Sequence, residues 1–304
     1  MVSRLSIEVA GVKLQNPTML AAGILGFSGP ILKRVGETGA GAVVTKSIGL
    51  TPRYGYANPT VIQLDCGLLN AVGLSNPGIS NFIEEIRIAA EGKVPVIVSV
   101  FGFSVEEYMT VCEGAEDAGA EAVELNVSCP HVEKTGSEIG QDPELVAKIV
   151  ECCKGSLRIP VFVKLSPNVN DIVKVAEAAV NAGADAVTAI NTLRAMAIDV
   201  ETMRPILANK IGGLSGPAIK PIAVRCVYEI SKKLSVPVIG CGGIEDWKDA
   251  VEFLLAGASA VQIGSALVGQ DLTVFKSVTK GIEDYLTKKG FKSISEIVGL
   301  SHKF

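Results

Sequence analysis

The segment Gly119-Ala-Glu-Ala-Val-Glu-Leu-Asn126 decides the fold, because its pattern recurs along the chain. The same Gly-Ala-x-Ala-Val beginning is found at Gly39–Lys46, Gly183–Ile190 and Gly257–Gly264. In each copy the Gly-Ala pair is typical of the turn that ends a helix, and the branched apolar run after it is short enough for a buried parallel strand. The repeat therefore predicts four helix-to-strand junctions.

A second set of predicted strands alternates with the first. Val94–Ser99, Ile159–Lys164 and Val236–Gly240 each place proline near the strand start, where its missing N–H costs no hydrogen bond of the ladder. Thr18–Ala22 is a further short apolar run near the beginning of the chain. The two sets and this run together predict eight strands.

Helical stretches separate the strands, with apolar residues recurring at spacings of three and four. They are Val105–Ala118, Pro143–Lys154, Asp171–Ala182, Ile219–Leu234 and Asp246–Leu255. Eight parallel strands, each followed by a helix, predict a (β/α)8 (TIM) barrel with active-site insertions that forms one domain over residues 1–304. An open doubly wound sheet is the alternative, disfavoured because no Gly-x-Gly-x-x-Gly opens a helix. Ser3–Val9 and Val12–Lys13 predict a β-hairpin that plugs the barrel bottom.

Composition and charge argue against several classes of function. The formal net charge is −4 and no run of Lys and Arg is interleaved with aromatic residues, so nucleic acid is not an expected partner. Glu8 and Lys13 interrupt the stretch where a signal peptide would lie, and no apolar run reaches membrane-spanning length, so we expect a cytoplasmic protein. The seven cysteines form no Cys-x-x-Cys pair, so we expect most to be buried hydrophobes and this chain alone to hold no metal site.

Polar residues stand at the carboxyl ends of the predicted strands, where barrel enzymes build their active sites. Lys46, Asn126, Lys164 and Asn191 occupy or follow ends at which a core strand would continue apolar. Such groups need hydrogen-bond partners if they are buried, and a polar ligand provides them. The alternative is that each residue merely ends its strand in solvent.

Glycines follow the last two predicted strands. Gly242-Gly243 and Gly264-Ser265 fall where barrels bind phosphate, because backbone N–H groups and a helix N-terminus face the anion there. Gly-Gly is also an ordinary turn. Taken together, the two units favour a phosphorylated ligand.

Several motifs resemble those of class 1 dihydroorotate dehydrogenases over nearly the whole chain. They are Thr45–Ser47, Leu69–Leu74 with Asn76–Gly78, Asn126–Pro130, Val163–Asn168, Ala189–Thr192, Gly213–Pro217 and Gly242–Ile244. The Asn-Ala-Val-Gly-Leu stretch that ends at Leu74 is most similar to the class 1B form. The resemblance implies a flavin-dependent oxidation of (S)-dihydroorotate to orotate in pyrimidine biosynthesis.

By this resemblance the phosphorylated ligand is FMN. The implied cofactor-binding residues are Ala22, Lys46, Ser47, Ser99, Asn126, Lys164, Ile190, Gly216, Gly242, Gly243, Gly264 and Ser265. Ala22 and Ser99 depart from the pattern, since relatives often carry Ser and Asn at these positions. Lys164 is expected beside the N1–C2 carbonyl edge of the flavin, where a fixed cation favours the negative charge that appears on reduction.

The resemblance also implies how the substrate is held and where its proton goes. The implied substrate-binding residues are Lys46, Asn70, Ala71, Val72, Gly73, Leu74, Asn126, Asn191 and Thr192. Cys129 is the implied base for the C5 proton, at the start of a loop, Pro130–Asp142, whose glycines would let it close as a lid. From the residues alone, Cys129 reads more readily as a buried thiol, and Asn70 can be a turn residue.

The class 1B form works with a second subunit that carries FAD and a [2Fe-2S] cluster and passes electrons to NAD. The implied assembly is a homodimer within a heterotetramer. The chain agrees with this division, because it has neither a dinucleotide fingerprint nor cluster-spaced cysteines. Two alternatives stay open. One is a dihydropyrimidine dehydrogenase subunit, which shares the stretches at 126–131 and 140–143, and the other is a non-catalytic phosphate-ligand-binding barrel or scaffold.

Overall fold

The computed structural model describes residues 3–128 and 139–304. In these ranges the strands are β1 (Ile7–Val9), β2 (Val12–Leu14), β3 (Thr18–Leu20), β4 (Ala42–Val44), β5 (Val61–Leu64), β6 (Gly67–Asn70), β7 (Val96–Val100), β8 (Ala122–Asn126), β9 (Val161–Leu165), β10 (Ala186–Ala189), β11 (Leu193–Met196), β12 (Ile198–Asp199), β13 (Arg204–Pro205), β14 (Ile211–Ser215), β15 (Val238–Cys241) and β16 (Ala258–Ile263).

The α-helices in the same ranges are α1 (Gly29–Glu37), α2 (Ile83–Ala90), α3 (Val105–Asp117), α4 (Pro143–Ser156), α5 (Ile172–Asn181), α6 (Lys220–Lys233), α7 (Trp247–Leu255), α8 (Leu267–Gln270) and α9 (Thr273–Lys289). Short 3-10 turns lie at Ile79–Asn81, Ile139–Gln141, Pro217–Ile219, Ile294–Glu296 and Leu300–Lys303. None of the helices in residues 3–128 and 139–304 is long and apolar enough to cross a membrane.

The centre of the fold is a closed parallel barrel in which β3, β4, β7, β8, β9, β10, β15 and β16 pair in that order. Helices α1 to α7 connect consecutive barrel strands, and α9 follows the last one. The predicted (β/α)8 barrel is confirmed, with every predicted strand present. The alternative of an open doubly wound sheet is wrong, because β16 pairs with β3 and closes the ring.

Acidic caps fix where several helices begin. Asp142, Asp171 and Asp246 each accept hydrogen bonds from backbone N–H groups of the first turn of α4, α5 and α7. A cap of this kind satisfies donors that have no partner inside the helix. The predicted ranges that began at Asp171 and Asp246 therefore start one residue too early, because these residues are caps with extended backbone.

The N-terminal hairpin closes one end of the barrel. β1 and β2 pair antiparallel, with Ile7 opposite Leu14. Val9 and Val12 share a buried apolar cluster with inward-facing residues of the barrel strands such as Phe162 and Ile97. The predicted plug is confirmed, and the functional side chains are left to the opposite, carboxyl end of the strands.

Two insertions form a small sheet beside that carboxyl end. β5 and β6 come after β4, while β11 and β14 come between β10 and α6. These strands make one antiparallel sheet in the order β11-β14-β6-β5. The pairing of β6 with β14 brings the loop after the second barrel strand against the loop after the sixth. The predicted active-site insertions are thereby confirmed.

Candidate active site

A layer of buried polar side chains lies inside the barrel, next to the apolar layer that packs on the hairpin. Phe162 belongs to the apolar layer, and side chains alternate along a strand, so Lys164 faces the same interior two residues further on. By the same alternation Ala122 is followed by Glu124, and Ala260 by Gln262. All three polar side chains are buried. The barrel interior thus changes from apolar to polar within two residues along each of these strands, toward their carboxyl ends.

A hydrogen-bonded cluster of amides and hydroxyls joins the ends of four strands. The hydroxyl groups of Ser47 and Ser99 are 2.9 Å apart, and the Asn126 amide donates to Ser47 at 3.1 Å. The Asn191 amide donates to Asn126 Oδ1 at 3.1 Å and to Ser128 Oγ at 2.9 Å. Four sequence-predicted site residues are therefore in one network. Ser99 is fully buried within it, so its hydroxyl supports Ser47 rather than opening toward a ligand.

The predicted substrate loop lies against the end of the sixth barrel strand. Asn70 is the last residue of β6, and its amide donates to the Gly213 carbonyl at 3.2 Å. Gly213 packs so closely on Thr192 that a Cβ there would overlap the threonine hydroxyl. Asn70 therefore contacts a neighbouring strand, and the alternative that it is a turn residue is wrong. After it, Gly73 and Leu74 have positive φ angles of 75° and 57°, which turn the half-buried loop.

Two glycine turns touch each other beside the seventh barrel strand. Gly242 and Gly243 follow β15 with φ angles of 132° and 74°, and Gly216 has a φ of 103°. A Cβ at Gly243 would lie 2.7 Å from the Gly216 carbonyl oxygen, so glycine is needed for the approach. Gly264 follows the neighbouring strand β16 and is itself followed by Ser265. The predicted glycine and serine positions are thus together at one rim of the barrel.

The remaining predicted cofactor residues also end strands. Ala22 follows β3 and is half-buried, and Lys46 is half-buried with its backbone N–H donating to Gly26 at 2.7 Å. Ile190 is buried and its N–H donates to the Cys241 carbonyl at 2.9 Å, which ties the end of β10 to β15.

Lys164 is the buried cation of this site, with 6% of its surface exposed. Burial lowers the pKa of its ammonium, but the neighbouring Cys241 and the Glu124 carboxylate more than offset it, so the pKa lies above the ordinary lysine value. Folding therefore favours the protonated form. Its contribution to stability is complete below the ordinary lysine pKa and is lost as the pH rises through the folded-state pKa.

Sequence reasoning missed four polar neighbours of Lys164, namely Glu124, Thr188, Cys241 and Gln262. A signal was present for Glu124 and Gln262, because a charged or amide side chain in the middle of a buried strand needs a buried partner. Cys241 contacts the lysine ammonium, so its role is not only that of a small hydrophobe. Among the six described cysteines, Cys112, Cys153 and Cys226 are buried, Cys152 and Cys241 are partly buried and Cys66 is exposed, so half of them, and not most, are fully buried. Cys129, and with it most of the predicted lid, lies outside the described residues.

The closed barrel and the polar cluster at the carboxyl ends of its strands define the chain as a (β/α)8 barrel enzyme. The protein-family model described as dihydroorotate dehydrogenase matches residues 4–286. The chain belongs to the dihydroorotate dehydrogenase family.

Curated relatives refine this assignment. The chain is 52% identical over 300 residues to the "Dihydroorotate dehydrogenase B (NAD(+)), catalytic subunit" of Methanocella arvoryzae, covering 99% of this chain and 98% of the relative. The protein of the same name from Pyrococcus furiosus is 52% identical over 98% of this chain and 99% of its own length. The one from Methanosarcina mazei is 51% identical, over 99% and 96%. The predicted similarity to the B form is confirmed.

Proposed function

We propose that the chain oxidises (S)-dihydroorotate to orotate in pyrimidine biosynthesis, with FMN as its bound cofactor. Beside family membership, one observation carries the proposal. Asn126 and Asn191 share a hydrogen-bonded cluster, and Asn126 lies opposite the buried Lys164 on the neighbouring strand. Carboxamides offer both donors and acceptors, as the alternating groups of a pyrimidine ring require, and the lysine offers a fixed positive charge.

The residues present fit FMN. The touching turns at Gly216 and Gly243 have the close backbone approach and positive φ angles of a phosphate cradle, and Gly264 stands on the neighbouring strand. The polar layer around Lys164 suits the polar edge of an isoalloxazine ring. We therefore assign FMN binding to Ala22, Lys46, Ser47, Ser99, Asn126, Lys164, Ile190, Gly216, Gly242, Gly243, Gly264 and Ser265, with Ser99 acting through Ser47.

The oxidation removes a proton from C5 and a hydride from C6 of dihydroorotate. When bound, FMN supplies the hydride acceptor. Lys164 holds a positive charge at the end of β9, where it stabilises the negative charge that accompanies reduction. Cys129 is proposed to take the C5 proton. The residue before it, Ser128, lies in the amide cluster, with its hydroxyl bonded to Asn191.

Substrate binding is proposed for the loop and strand ends around the same cluster. The carboxamides of Asn70, Asn126 and Asn191 can bind ring carbonyl and N–H groups. Backbone of the loop at 71–74 and the Lys46 ammonium would hold the substrate carboxylate. The complete proposed set is Lys46, Asn70, Ala71, Val72, Gly73, Leu74, Asn126, Asn191 and Thr192.

The purified chain is expected to be yellow, to release FMN on denaturation, and to bleach when dihydroorotate is added without oxygen. The physical reason is transfer of the C6 hydride into the bound flavin, which removes its visible absorbance. The measurement is an anaerobic visible spectrum before and after dihydroorotate, with dihydrouracil as the matched control.

The two alternatives predict different spectra. Bleaching by dihydrouracil but not by dihydroorotate would favour a dihydropyrimidine dehydrogenase subunit and contradict the proposal. A colourless protein that binds no added FMN would favour a phosphate-binding barrel or a scaffold.

A second subunit is part of the proposal, since the relatives are named catalytic subunits that use NAD(+). We propose that it carries FAD and a [2Fe-2S] cluster, and that two catalytic chains pair within a heterotetramer. Exposed apolar side chains in the two insertions support protein contacts there: Val200 and Met203 are 81% and 83% exposed, and Tyr54 is fully exposed.

NAD reduction by the isolated chain with dihydroorotate is expected to be negligible until the second subunit is added. This chain has no dinucleotide fingerprint to hold NAD beside the flavin. The measurement is NADH formation at 340 nm with and without the partner. Rapid NADH formation by the isolated chain would contradict the prediction, and rapid use of fumarate would indicate the class 1A reaction instead.

We also propose that residues 1–304 form one domain and that the protein is cytoplasmic. The helix after the barrel supports the first point, because α9 packs on α7 and on β3 and so completes the ring rather than starting another unit.

A further inference from the structure

Four buried polar side chains inside the barrel form one group, and the proposed reaction uses only Lys164 among them. Glu124 on β8, Lys164 on β9, Thr188 on β10 and Gln262 on β16 are all nearly or completely inaccessible to solvent. Glu124 is fully buried in the middle of its strand. A buried carboxylate is costly unless it is paired and hydrogen-bonded, so its presence requires a reason.

The hydrogen bonds of Gln262 connect this carboxylate to the lysine. The Lys164 ammonium donates to Gln262 Oε1 at 2.7 Å, and the other end of the same amide donates to Glu124 Oε2 at 2.6 Å. The Thr188 hydroxyl donates to the same carboxylate oxygen at 2.8 Å. The amide oxygen of Gln262 accepts from the lysine ammonium and its NH2 group donates to the carboxylate, so both ends of the amide have a charged partner.

The second carboxylate oxygen faces the lysine directly. Within the described part of the chain, Glu124 Oε1 makes no hydrogen bond, and it lies 3.7 Å from Lys164 Nζ. Lys164 is therefore the charge that compensates the buried Glu124. The pair is held from two sides, by the direct ionic contact and by the Gln262 bridge.

The lysine depends on the carboxylate in turn. Its other titratable neighbour among the described residues is Cys241 on β15, whose Sγ is 3.7 Å from Nζ. Burial raises the pKa of the Cys241 thiol, so at neutral pH that group carries no charge. Gln262 and Thr188, which also hydrogen-bond to the pair, do not titrate. Glu124 is thus the anion that balances the Lys164 ammonium in its buried place.

We propose that Glu124 is a positioning residue for Lys164: its carboxylate holds the ammonium at the carboxyl end of β9, balances its charge, and thereby sets how strongly the protein favours reduced over oxidised flavin. The inference rests on the proposed function, because it takes Lys164 as the cation that faces FMN. Under this proposal Glu124 lies deeper in the barrel than the proposed FMN-binding residues and itself contacts neither cofactor nor substrate.

Glu124→Gln is expected to change the flavin midpoint potential in opposite directions at the two ends of the pH range. At pH 6.5 the ammonium keeps its proton but loses its counter-charge, so reduced flavin gains about tenfold over oxidised flavin, an increase of about 30 mV for a two-electron couple. At pH 9.5 the buried, unbalanced lysine has lost its proton, and the potential falls below that of the parent by a similar amount. The two curves of potential against pH therefore cross.

Two further variants separate positioning from general damage to the barrel. Thr188→Val removes one hydrogen bond from the same carboxylate and keeps both charges, so its curve is expected to run parallel to that of the parent. In a Lys164→Met background, Glu124→Gln is expected to leave the pH dependence of the potential unchanged, since the cation through which the carboxylate acts is absent. If Glu124→Gln does not fold, Glu124→Asp, which retracts the charge from Nζ, is expected to give the same crossing with smaller amplitude.

The readouts are spectroelectrochemical titration of the flavin and the dissociation constant of FMN from pH 6.5 to 9.5. The dissociation constant of FMN is expected to rise about tenfold from pH 6.5 to 9.5 in Glu124→Gln, because Lys164 loses its positive charge there. In the parent it is expected not to change with pH. Parallel curves for Glu124→Gln and the parent, or an equal shift in the Lys164→Met background, would overturn the inference. A parent protein that binds no FMN would instead overturn the proposed function.

Discussion

Lys164→Met is expected to slow reduction of the bound flavin by dihydroorotate about 10²–10³-fold, the range found when one preorganised charge-stabilising group is removed from an active site. The ammonium is buried and fixed by Gln262 at 2.7 Å, so its charge acts in a water-poor environment. FMN is expected to dissociate more readily as well. Anaerobic stopped-flow absorbance of the flavin measures the rate.

The structure also shows why this variant needs a companion. Removing the lysine leaves Glu124 as an uncompensated buried carboxylate, and breaking such a pair typically costs about 3–5 kcal/mol. The double variant Glu124→Gln/Lys164→Met removes both charges. It is expected to unfold at a higher temperature than Lys164→Met alone while reducing its flavin just as slowly.

That comparison distinguishes chemistry from stability. If the double variant recovers both the melting temperature and the rate of flavin reduction, the slow rate of the single variant came from a damaged barrel. Lys164 would then have no role in charge stabilisation. Full flavin content with an unchanged rate in either variant would lead to the same conclusion.

The barrel itself could be predicted from sequence because the residues that signal each unit are close together in the chain. Each Gly-Ala turn is followed at once by its buried strand, as at Gly119 and Gly183, and the same unit recurs along the chain. The small sheet escaped prediction because its strands are short and partly exposed and pair over long distances. β6 pairs with β14, although more than one hundred residues separate them, and two of the residues of β14 are glycines.

The site residues likewise fall into those that could be predicted from their place in the chain and those that could not. Residues that follow a strand, such as Asn126 and Asn191, could be located from position alone, since parallel strands end at one rim. Glu124 and Gln262 could not be paired in this way. They lie 138 positions apart on strands that are not neighbours, and only closure of the barrel brings their side chains to 2.6 Å. Closure likewise determines that the Gly216 turn touches the one at Gly243.

Cys129→Ala is expected to slow reduction of the flavin about 10²–10⁴-fold, because a positioned general base contributes a factor of that size. Cys129 lies outside the described residues, so the prediction rests on its place in the chain. The residue before it, Ser128, is anchored by Asn191 and by Asn126, the two amides assigned to the pyrimidine ring. Truncation to alanine removes a single sulfur atom and leaves the residues of the described barrel core, the glycine turns and the Lys164 pair unchanged, so FMN content and orotate binding are expected to stay near those of the parent.

The pH dependence provides the sharpest test of this base. A thiol must lose its proton before it can accept one, so the rate in the parent is expected to rise with pH through one ionisation near the ordinary cysteine range of about 8.5. In Cys129→Ala that ionisation is expected to disappear from the profile. Cys129→Ser is expected to be slow at neutral pH and to recover partly at high pH, because a hydroxyl is the weaker acid and is rarely ionised.

Cys241→Ala is the matched control, since this buried thiol lies beside Lys164 and its removal should leave the ionisation in place. The measurement is anaerobic stopped-flow reduction of the flavin from pH 6 to 10 in all four proteins. Reduction of the flavin by Cys129→Ala at the parent's rate at every pH would show that another residue takes the C5 proton.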